Sequence, residues 1–422
     1  MHRQIFYVLV ILAGISNAHP GDDHRSELMK RAEWLNQVER RDLSHCAEKL
    51  KARGVHARAL QRRSALADSR RTMRSLPSLP YLKARDLDSV VNISHHSSLT
   101  GLTASSTDET IFSGNSSCIL NPEVTEGPYY VLGELVRKNV TEGFAGVPLT
   151  LDIQIIDVNT CEPVPDIMLD FWHCNSTGVY SGVVANGNGN SADLTNLDTT
   201  FNRGIQKADD DGVVTFDSTF PGHYTGRATH IHIMGHIGAT VGANNTLSSQ
   251  GSIAHVGQIF FDQDLISQVE AVEPYASNTQ ELTLNADDMI ASQAAEDVDP
   301  FAEYVLLGSD ISDGILAWTT IGVNVTANYS VSAAATIYAD GGVANENAMG
   351  GGPDAPGASG GPPNGTASVA ATGGVSKRTT SSVKASGTTA APVTVSSSDA
   401  QPAANWYNRV LMAAVGVGAA MA

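Results

Sequence analysis

The sequence predicts a mainly β protein: an antiparallel β-sandwich core, preceded by an N-terminal helical segment and followed by a disordered C-terminal tail. Between residues 108 and 336, short apolar stretches alternate with turns rich in Gly, Asn, Asp and Pro, which is typical of a sandwich or barrel. No stretch of helical periodicity alternates with them, and this argues against a parallel α/β sheet. The clearest candidate strands span residues 149–158, 167–173, 213–217, 230–236 and 257–261.

The start of the chain predicts export from the cell. Residues 1–18 resemble a signal peptide, because an apolar run too short to span a membrane ends at the small-residue cleavage site Ser16-Asn17-Ala18. The chain also contains eight Asn-x-Ser/Thr sequons, the acceptors of N-glycosylation. They begin at Asn92, Asn115, Asn139, Asn175, Asn244, Asn324, Asn328 and Asn364. We therefore expect a secreted glycoprotein.

Residues 19–107 predict a basic helical segment and a linker. Apolar residues recur at helical spacing over 28–66, and Gly54 is expected to divide this pattern into two helices. The first 86 residues hold 17 of the 26 Lys and Arg residues but only 9 of the 44 acidic ones. This segment could contact a polyanion, but we expect it to be a solvated helical segment. The acidic remainder argues against nucleic-acid binding by the main body.

Residues 337–422 predict a low-complexity tail. They are rich in Gly, Ser, Thr, Ala and Pro, and such a segment cannot bury enough apolar surface to offset the entropy lost on ordering. Residues 410–422 are apolar and follow a polar spacer, an order that resembles a GPI-anchor signal. A frayed terminus without a membrane anchor is the alternative.

Four cysteines suit an oxidising compartment. An even number in an exported chain predicts two disulfides, and three pairings of Cys46, Cys118, Cys161 and Cys174 are possible. No two of them form a Cys-x-x-Cys pair, which argues against a structural zinc site.

The strongest chemical signal is a pair of histidines in a candidate strand. His230 and His232 flank Ile231, and residues i and i+2 of a strand share one face. Both imidazoles should therefore lie close enough to bind one metal ion. Tyr224 precedes them by six residues, across a glycine-containing loop that could return it to the same face. Arg227 lies in between, although residues 87–377 contain only three arginines.

The segments around this pair resemble the intradiol catechol dioxygenase family, in particular its extracellular fungal members. The stretch from Trp172 to Tyr180 has the pattern W-H-x-N-x-x-G-x-Y, and the stretch from Gly222 to His232 has G-x-Y followed by R-x-x-H-x-H. Upstream, residues 125–130 resemble the family's Glu-Gly-Pro-Tyr/Phe-Tyr segment. The resemblance covers about residues 115–265.

The resemblance implies a non-haem Fe(III) ion held by Tyr180, Tyr224, His230 and His232. Phenolate oxygens are hard anionic donors, which suits ferric iron. By analogy with the family, Tyr224 leaves the metal when substrate binds and accepts a proton as a base.

The same resemblance implies that the substrates are a catechol-type aromatic and O₂, and that the ring opens between its two hydroxyls to a muconate-type product. Arg227 would stabilise negative charge on the ring, and Gln258 would orient the substrate. Pro128 and Tyr129 are expected to line the pocket. The sequence departs from bacterial members in two ways: its loop between Tyr224 and the histidines is shorter, and Ala228 follows Arg227 where those members have a proline. The particular catechol therefore cannot be inferred from them.

Two other functions stay open at this point. The chain could be a secreted β-sandwich that serves as a cell-surface binding module with a degenerate metal site, although the presence of all four ligand types weighs against this. It could instead be a zinc hydrolase that uses His230 and His232, but the sequence offers no third histidine or carboxylate at convincing spacing.

Overall fold

The computed structural model describes residues 43–77, 118–119, 127–185, 187–189, 193–297 and 299–345. All of them belong to one of the chain's two compact units, Met1–Gly357, and the second unit, Ala358–Ala422, lies outside the described residues. The predicted signal peptide, most of the predicted linker and the predicted anchor signal also lie outside them.

The described part of the chain forms fourteen strands and four α-helices, and the predicted mainly β architecture is confirmed. The strands are β1 (Cys118–Ile119), β2 (Val131–Leu132), β3 (Pro148–Asp157), β4 (Met168–Trp172), β5 (Arg203–Lys207), β6 (Val213–Thr219), β7 (His230–Ile237), β8 (Thr240–Val241), β9 (Leu247–Ser249), β10 (Ser252–Phe260), β11 (Glu303–Leu306), β12 (Ile315–Val323), β13 (Ala335–Tyr338) and β14 (Gly341–Ala344). The helices are α1 (Ala47–Ala52), α2 (Val55–Met73), α3 (Gln263–Glu270) and α4 (Met289–Asp297).

Two sheets form the sandwich. The first has the order β1-β12-β3-β6 with β11 paired to β12, and the second has the order β10-β7-β4-β5. The second sheet is antiparallel throughout. The first differs from the expectation in two places, because β12 runs parallel to both β3 and β1. Parallel neighbours need a long connection, and the whole second sheet lies between β3 and β12 in the chain.

The apolar core lies between the two sheets. Alternate residues of β3, among them Leu151 and Ile153, share one buried cluster with Ile231 and Ile233 of β7. Alternate side chains of a strand point to opposite faces, so the residues between them face away from the core. His232 is one of these outward residues and is buried nevertheless. Each sheet therefore needs a cover on its outer face.

Helix α2 covers the outer face of the first sheet. Arg62 pairs with Asp152 of β3 at 2.7 Å, and Arg63, which is 3% exposed, places its guanidinium 5.1 Å from the ring of Trp318 on β12. The expectation that this segment is solvated is therefore wrong. Apolar side chains of the segment also pack against the sheet, among them Ala67 in one buried cluster with Trp318, while the arginines contact acidic and aromatic partners. Gly54 separates α1 from α2, as predicted.

The outer face of the second sheet is covered by loops and by the β13–β14 hairpin. Trp172 and Met234 of this face form a second buried cluster with Tyr129, and Ile337 of β13 packs against it. The hairpin joins β2 through β13 and extends the strand structure to Ala344, past the predicted end of the sandwich at residue 336.

One disulfide, Cys46–Cys161, ties the start of the helical segment to the turn after β3. Cys174 is a buried free thiol whose Sγ donates to the Gly222 carbonyl at 3.2 Å. The expectation of two disulfides is thus corrected to one among the described side chains. Cys174 lies two residues after the end of the buried β4, where a thiol packs as a small apolar group.

No helix within the described ranges combines the length and apolar character needed to cross a membrane.

Replacing Asp152 with asparagine should loosen α2 from the sheet. The Asp152 carboxylate is fully buried, and removing one partner of a buried ion pair costs about 3–5 kcal/mol. We expect a fall of that size in the free energy of unfolding, measured with urea at unchanged m-value. The matched control is Asp211→Asn, which removes a partly exposed partner of Arg58 on the same helix and should cost at most about 1 kcal/mol. Equal small losses would contradict this anchoring role.

Candidate metal centre

Four predicted donor side chains converge on the outer face of the second sheet. His230 and His232 extend from β7 with their Nε2 atoms 3.0 Å apart. The hydroxyl oxygen of Tyr180, from the loop after β4, lies 3.4 Å from Nε2 of His230. The hydroxyl oxygen of Tyr224, from the loop before β7, lies at the same distance from that atom. The strand therefore supplies two nitrogens and the loops supply two oxygens.

These separations fit a single metal ion. Two donors that each lie about 2.1 Å from one ion, at angles between a right angle and a tetrahedral angle, are about 3.0–3.4 Å apart. Phenol oxygens are hard donors once ionised, and imidazoles suit most transition metals. The donor set therefore favours a hard, highly charged transition-metal ion.

His230 is already in the state that a metal ligand requires. Its Nδ1 donates to the carbonyl of Ala228 at 2.6 Å, so the lone pair of Nε2 faces the other donors. Burial, reinforced by the nearby charge of Arg227, lowers the pKa of His230 to about 3. The ring is consequently neutral and able to coordinate at physiological pH.

His232 is oriented by packing on its ring. The indole of Trp172 stacks on it with 4.9 Å between ring centroids and 4° between the planes. Gly127, with a positive φ of 71°, lies against its edge, where a Cβ atom would come within 3.2 Å of Cε1 of His232. A larger residue at position 127 would therefore be strained and would crowd this ligand.

The two tyrosines lie in a buried aromatic cluster. The ring of Tyr129 stacks on Tyr180 at 4.6 Å and meets Tyr224 edge-on at 6.0 Å, and all three are buried. Burial raises the pKa of Tyr180 and Tyr224 well above the ordinary value. A metal cation reverses this preference because it stabilises the phenolate directly. Pro128, the other predicted pocket residue, is half-buried beside Tyr129.

The predicted arginine and glutamine lie together beside the donors. The Arg227 guanidinium is fully buried, and its Nη2 donates to Oε1 of Gln258 at 2.6 Å. Gln258 is the register partner of His232 in the β10–β7 pair, which places it on the same face as the donors. Burial lowers the pKa of the Arg227 guanidinium, but the Asp288 carboxylate, at 2.9 Å from its Nε, acts together with Tyr224 and Tyr180 to hold that pKa above its ordinary value.

The loop that carries Tyr224 and Arg227 is held by a later segment that sequence reasoning missed. Asn278 donates from Nδ2 to the carbonyl of His223 at 2.8 Å, and Asp288 accepts from the amide of Ala228 at 2.7 Å. These partners are 55 and 60 residues apart in the chain. An acidic residue before a helix could have indicated a helix cap at Asp288, but no local pattern indicates its partner in the loop.

A hydrolytic zinc site finds no support beside the histidine pair. Among the described residues, the one group of three or more His, Cys, Asp or Glu with converging donor atoms is His45, Cys46 and Cys161. Two members of that group form the disulfide. In the described part of the chain, the partners that join His230 and His232 are the two tyrosines.

No family model matches the sequence, and no curated protein matches it. Solved structures to which the chain is similar include intradiol ring-cleaving dioxygenases.

The intradiol ring-cleavage dioxygenase from Tetranychus urticae is 27% identical, and the alignment covers 50% of this chain and 98% of that chain with a TM-score of 0.42. The dioxygenase domain of a dioxygenase–carbohydrate-binding protein fusion from the cellulolytic bacterium Streptomyces sp. SirexAA-E is 21% identical over 50% of this chain and 99% of that chain, with a TM-score of 0.30. Hydroxyquinol 1,2-dioxygenase from Pseudomonas putida DLL-E4 is 18% identical over 50% of this chain and 67% of that chain, with a TM-score of 0.30.

Ferric ion added to the metal-free protein should raise its melting temperature. An ion that binds the folded chain and not the unfolded chain stabilises it by mass action. We expect His230→Ala to abolish the shift in a thermal-denaturation experiment. His45→Asn, which removes an exposed imidazole elsewhere, should leave the shift intact. An undiminished shift in His230→Ala would place the ion at another site.

Proposed function

We propose that this protein is a non-haem Fe(III) intradiol dioxygenase that inserts both atoms of O₂ into a catechol-type aromatic and opens the ring between its two hydroxyls. The observation that carries the proposal is the convergence of two phenol oxygens and two imidazole nitrogens at a buried site. The Nε2 atoms of the two histidines are 3.0 Å apart, and each phenol oxygen lies 3.4 Å from Nε2 of His230. Two phenolates stabilise the ferric state in particular.

A ferric ion held by Tyr180, Tyr224, His230 and His232 would supply the Lewis acidity that ionises a catechol and activates its ring towards O₂. The protein's own contribution begins with the exclusion of water. All four donor side chains are buried, and charge interactions are strengthened where water is absent.

Tyr224 is the donor that we assign to proton transfer. Burial raises the pKa of its hydroxyl well above the ordinary value, so a phenolate released at this oxygen takes up a proton readily. The backbone of Tyr180 is held by two side-chain amides, since its N–H donates to Oδ1 of Asn188 at 2.7 Å and its carbonyl accepts from Nδ2 of Asn196 at 2.7 Å. The resemblance of the stretch from Gly222 to His232 to the family supports Tyr224 as the base that receives a catechol proton.

Arg227 and Gln258 would act on the ring. The guanidinium charge lies at a buried position beside both tyrosines, and a fixed cation in a dry site stabilises negative charge as it develops on the substrate. The hydrogen bond between the two side chains fixes their relative position. Gln258 would then orient the substrate against the same surface.

We also propose that the protein acts outside the cell. The Cys46–Cys161 disulfide supports an oxidising compartment. Asn139, Asn244 and Asn324, the first residues of three sequons, are exposed and so could carry glycans. The signal peptide and the membrane anchor stay predictions from the sequence.

The iron-loaded protein should show a visible absorption band from tyrosinate-to-iron charge transfer. Tyr180→Phe and Tyr224→Phe should each weaken or shift the band because each removes one phenolate. The matched control is Tyr338→Phe, since this tyrosine is 56% exposed and should not alter the spectrum. A folded protein that binds no iron and has no colour would contradict the proposal and favour the binding-module alternative.

Incubation with catechol under ¹⁸O₂ should give a ring-opened diacid with one ¹⁸O atom in each new carboxyl group. This outcome follows because intradiol cleavage breaks the bond between the two hydroxylated carbons and leaves one oxygen atom on each. Mass spectrometry of the product measures it. Label in a single carboxyl, or an aldehyde among the products, would exclude this reaction.

A further inference from the structure

The Asp288 carboxylate joins the loop that carries Tyr224 and Arg227 to helix α4. Its Oδ2 accepts hydrogen bonds from Nε of Arg227 at 2.9 Å and from the amide of Ala228 at 2.7 Å. Its Oδ1 accepts from the amides of Ile290 at 2.7 Å and Ala291 at 3.0 Å. The second pair caps the N-terminus of α4. One side chain, 1% exposed, thus serves two structures at once.

This arrangement holds the Arg227 guanidinium in one orientation. A guanidinium is planar, with donors in a fixed fork. Asp288 binds it at Nε and Gln258 binds it at Nη2, and two contacts on different nitrogens fix both the position and the plane of the group. Gln258 extends from β10 and Asp288 from the start of α4, so the arginine is held between two elements of the fold.

The Asp288 charge also matters to the tyrosines. A buried cation beside two phenol oxygens attracts them as soon as they ionise, and it could then compete with a metal ion for the phenolates. The Asp288 carboxylate on Nε balances that charge and holds the guanidinium where it is. An unpaired cation at this buried position would be costly, and the arginine would be expected to move.

We propose that Asp288 is a positioning residue for ring cleavage, and that it acts by fixing Arg227 at the place where negative charge develops on the substrate. This inference rests on the proposed function. Asp288 need not touch substrate or metal, and its effect passes through the arginine. The start of α4 becomes part of the machinery for this reason, although no residue of the helix lies among the donors.

Asp288→Asn separates the two roles of the side chain. The amide oxygen can still accept from the helix amides, whereas the amide nitrogen then faces Nε of Arg227 and the backbone amide of Ala228 and can accept from neither. In the iron-loaded enzyme we expect the visible band to be retained and kcat/KM for catechol to fall by about 10–100-fold, since misplacing a charged group by about an ångström costs rates of this order. The matched control is Asp310→Asn, which alters an exposed aspartate that caps the short helix Ile311–Asp313 and should leave kcat/KM unchanged.

A double-mutant cycle decides whether the effect passes through the arginine. In an Arg227→Ala background, Asp288→Asn should cause less than about a twofold further loss of kcat/KM, because the group that it positions is gone. A loss as large as in the wild-type background would overturn the proposal and leave Asp288 a structural cap.

The same cycle in the metal-free protein, followed by urea unfolding, tests the pair without any activity. The stability losses of the two single variants should not add in the double variant. If they add fully, the positioning role is overturned whatever the enzyme does. If the stability losses are coupled but the wild-type protein neither binds iron nor cleaves the ring, the proposed function is wrong, while the structural coupling between Asp288 and Arg227 still holds.

Discussion

Strand β7 is buried on both faces, and the rest of the structure follows from this constraint. Ile231 and Ile233 fill the space between the sheets, while His230 and His232 face away from it and are also buried. Buried polar groups need partners, so the outer face has to be covered by chain that supplies them. A shift of one residue in the strand register would exchange the apolar and metal-binding sets. The pairing of β7 with β4 and β10 therefore sets the core and the candidate centre together.

The cover over this face is held by charges that are themselves buried. Arg227 pairs with Asp288 on the side of Tyr224. On the side of Tyr180, Arg203 pairs with Glu134 at 2.9 Å, and its guanidinium carbon lies 5.9 Å from the Tyr180 ring. Buried ion pairs add little to stability relative to apolar packing, but they are costly to break. Here they fix loops that otherwise lack regular secondary structure, and so they define where the phenol oxygens can lie.

The opposite side of the sandwich uses the same kind of contact for a different purpose. Helix α2 brings its arginines to the outer face of the first sheet, and Arg70 reaches Asp217 on β6 at 2.7 Å. Part of the uneven charge along the sequence is thereby explained, because described basic residues of the N-terminal segment pair with acidic residues of the sandwich. The Cys46–Cys161 disulfide fastens the same segment.

The sequence by itself determined the β architecture and the shared face of His230 and His232, since alternation along a strand is a local property. Resemblance to a family added Tyr180, Tyr224, Arg227 and Gln258 as candidates. Only the tertiary structure decided the rest, namely the donor separations, the docking of α2, the free thiol of Cys174 and the part played by Asp288. Each of these depends on contacts between distant parts of the chain, such as the 60 residues between Asp288 and Ala228. No periodicity, cap or turn pattern reports such contacts, because those patterns describe how neighbouring residues fold and not which segments meet.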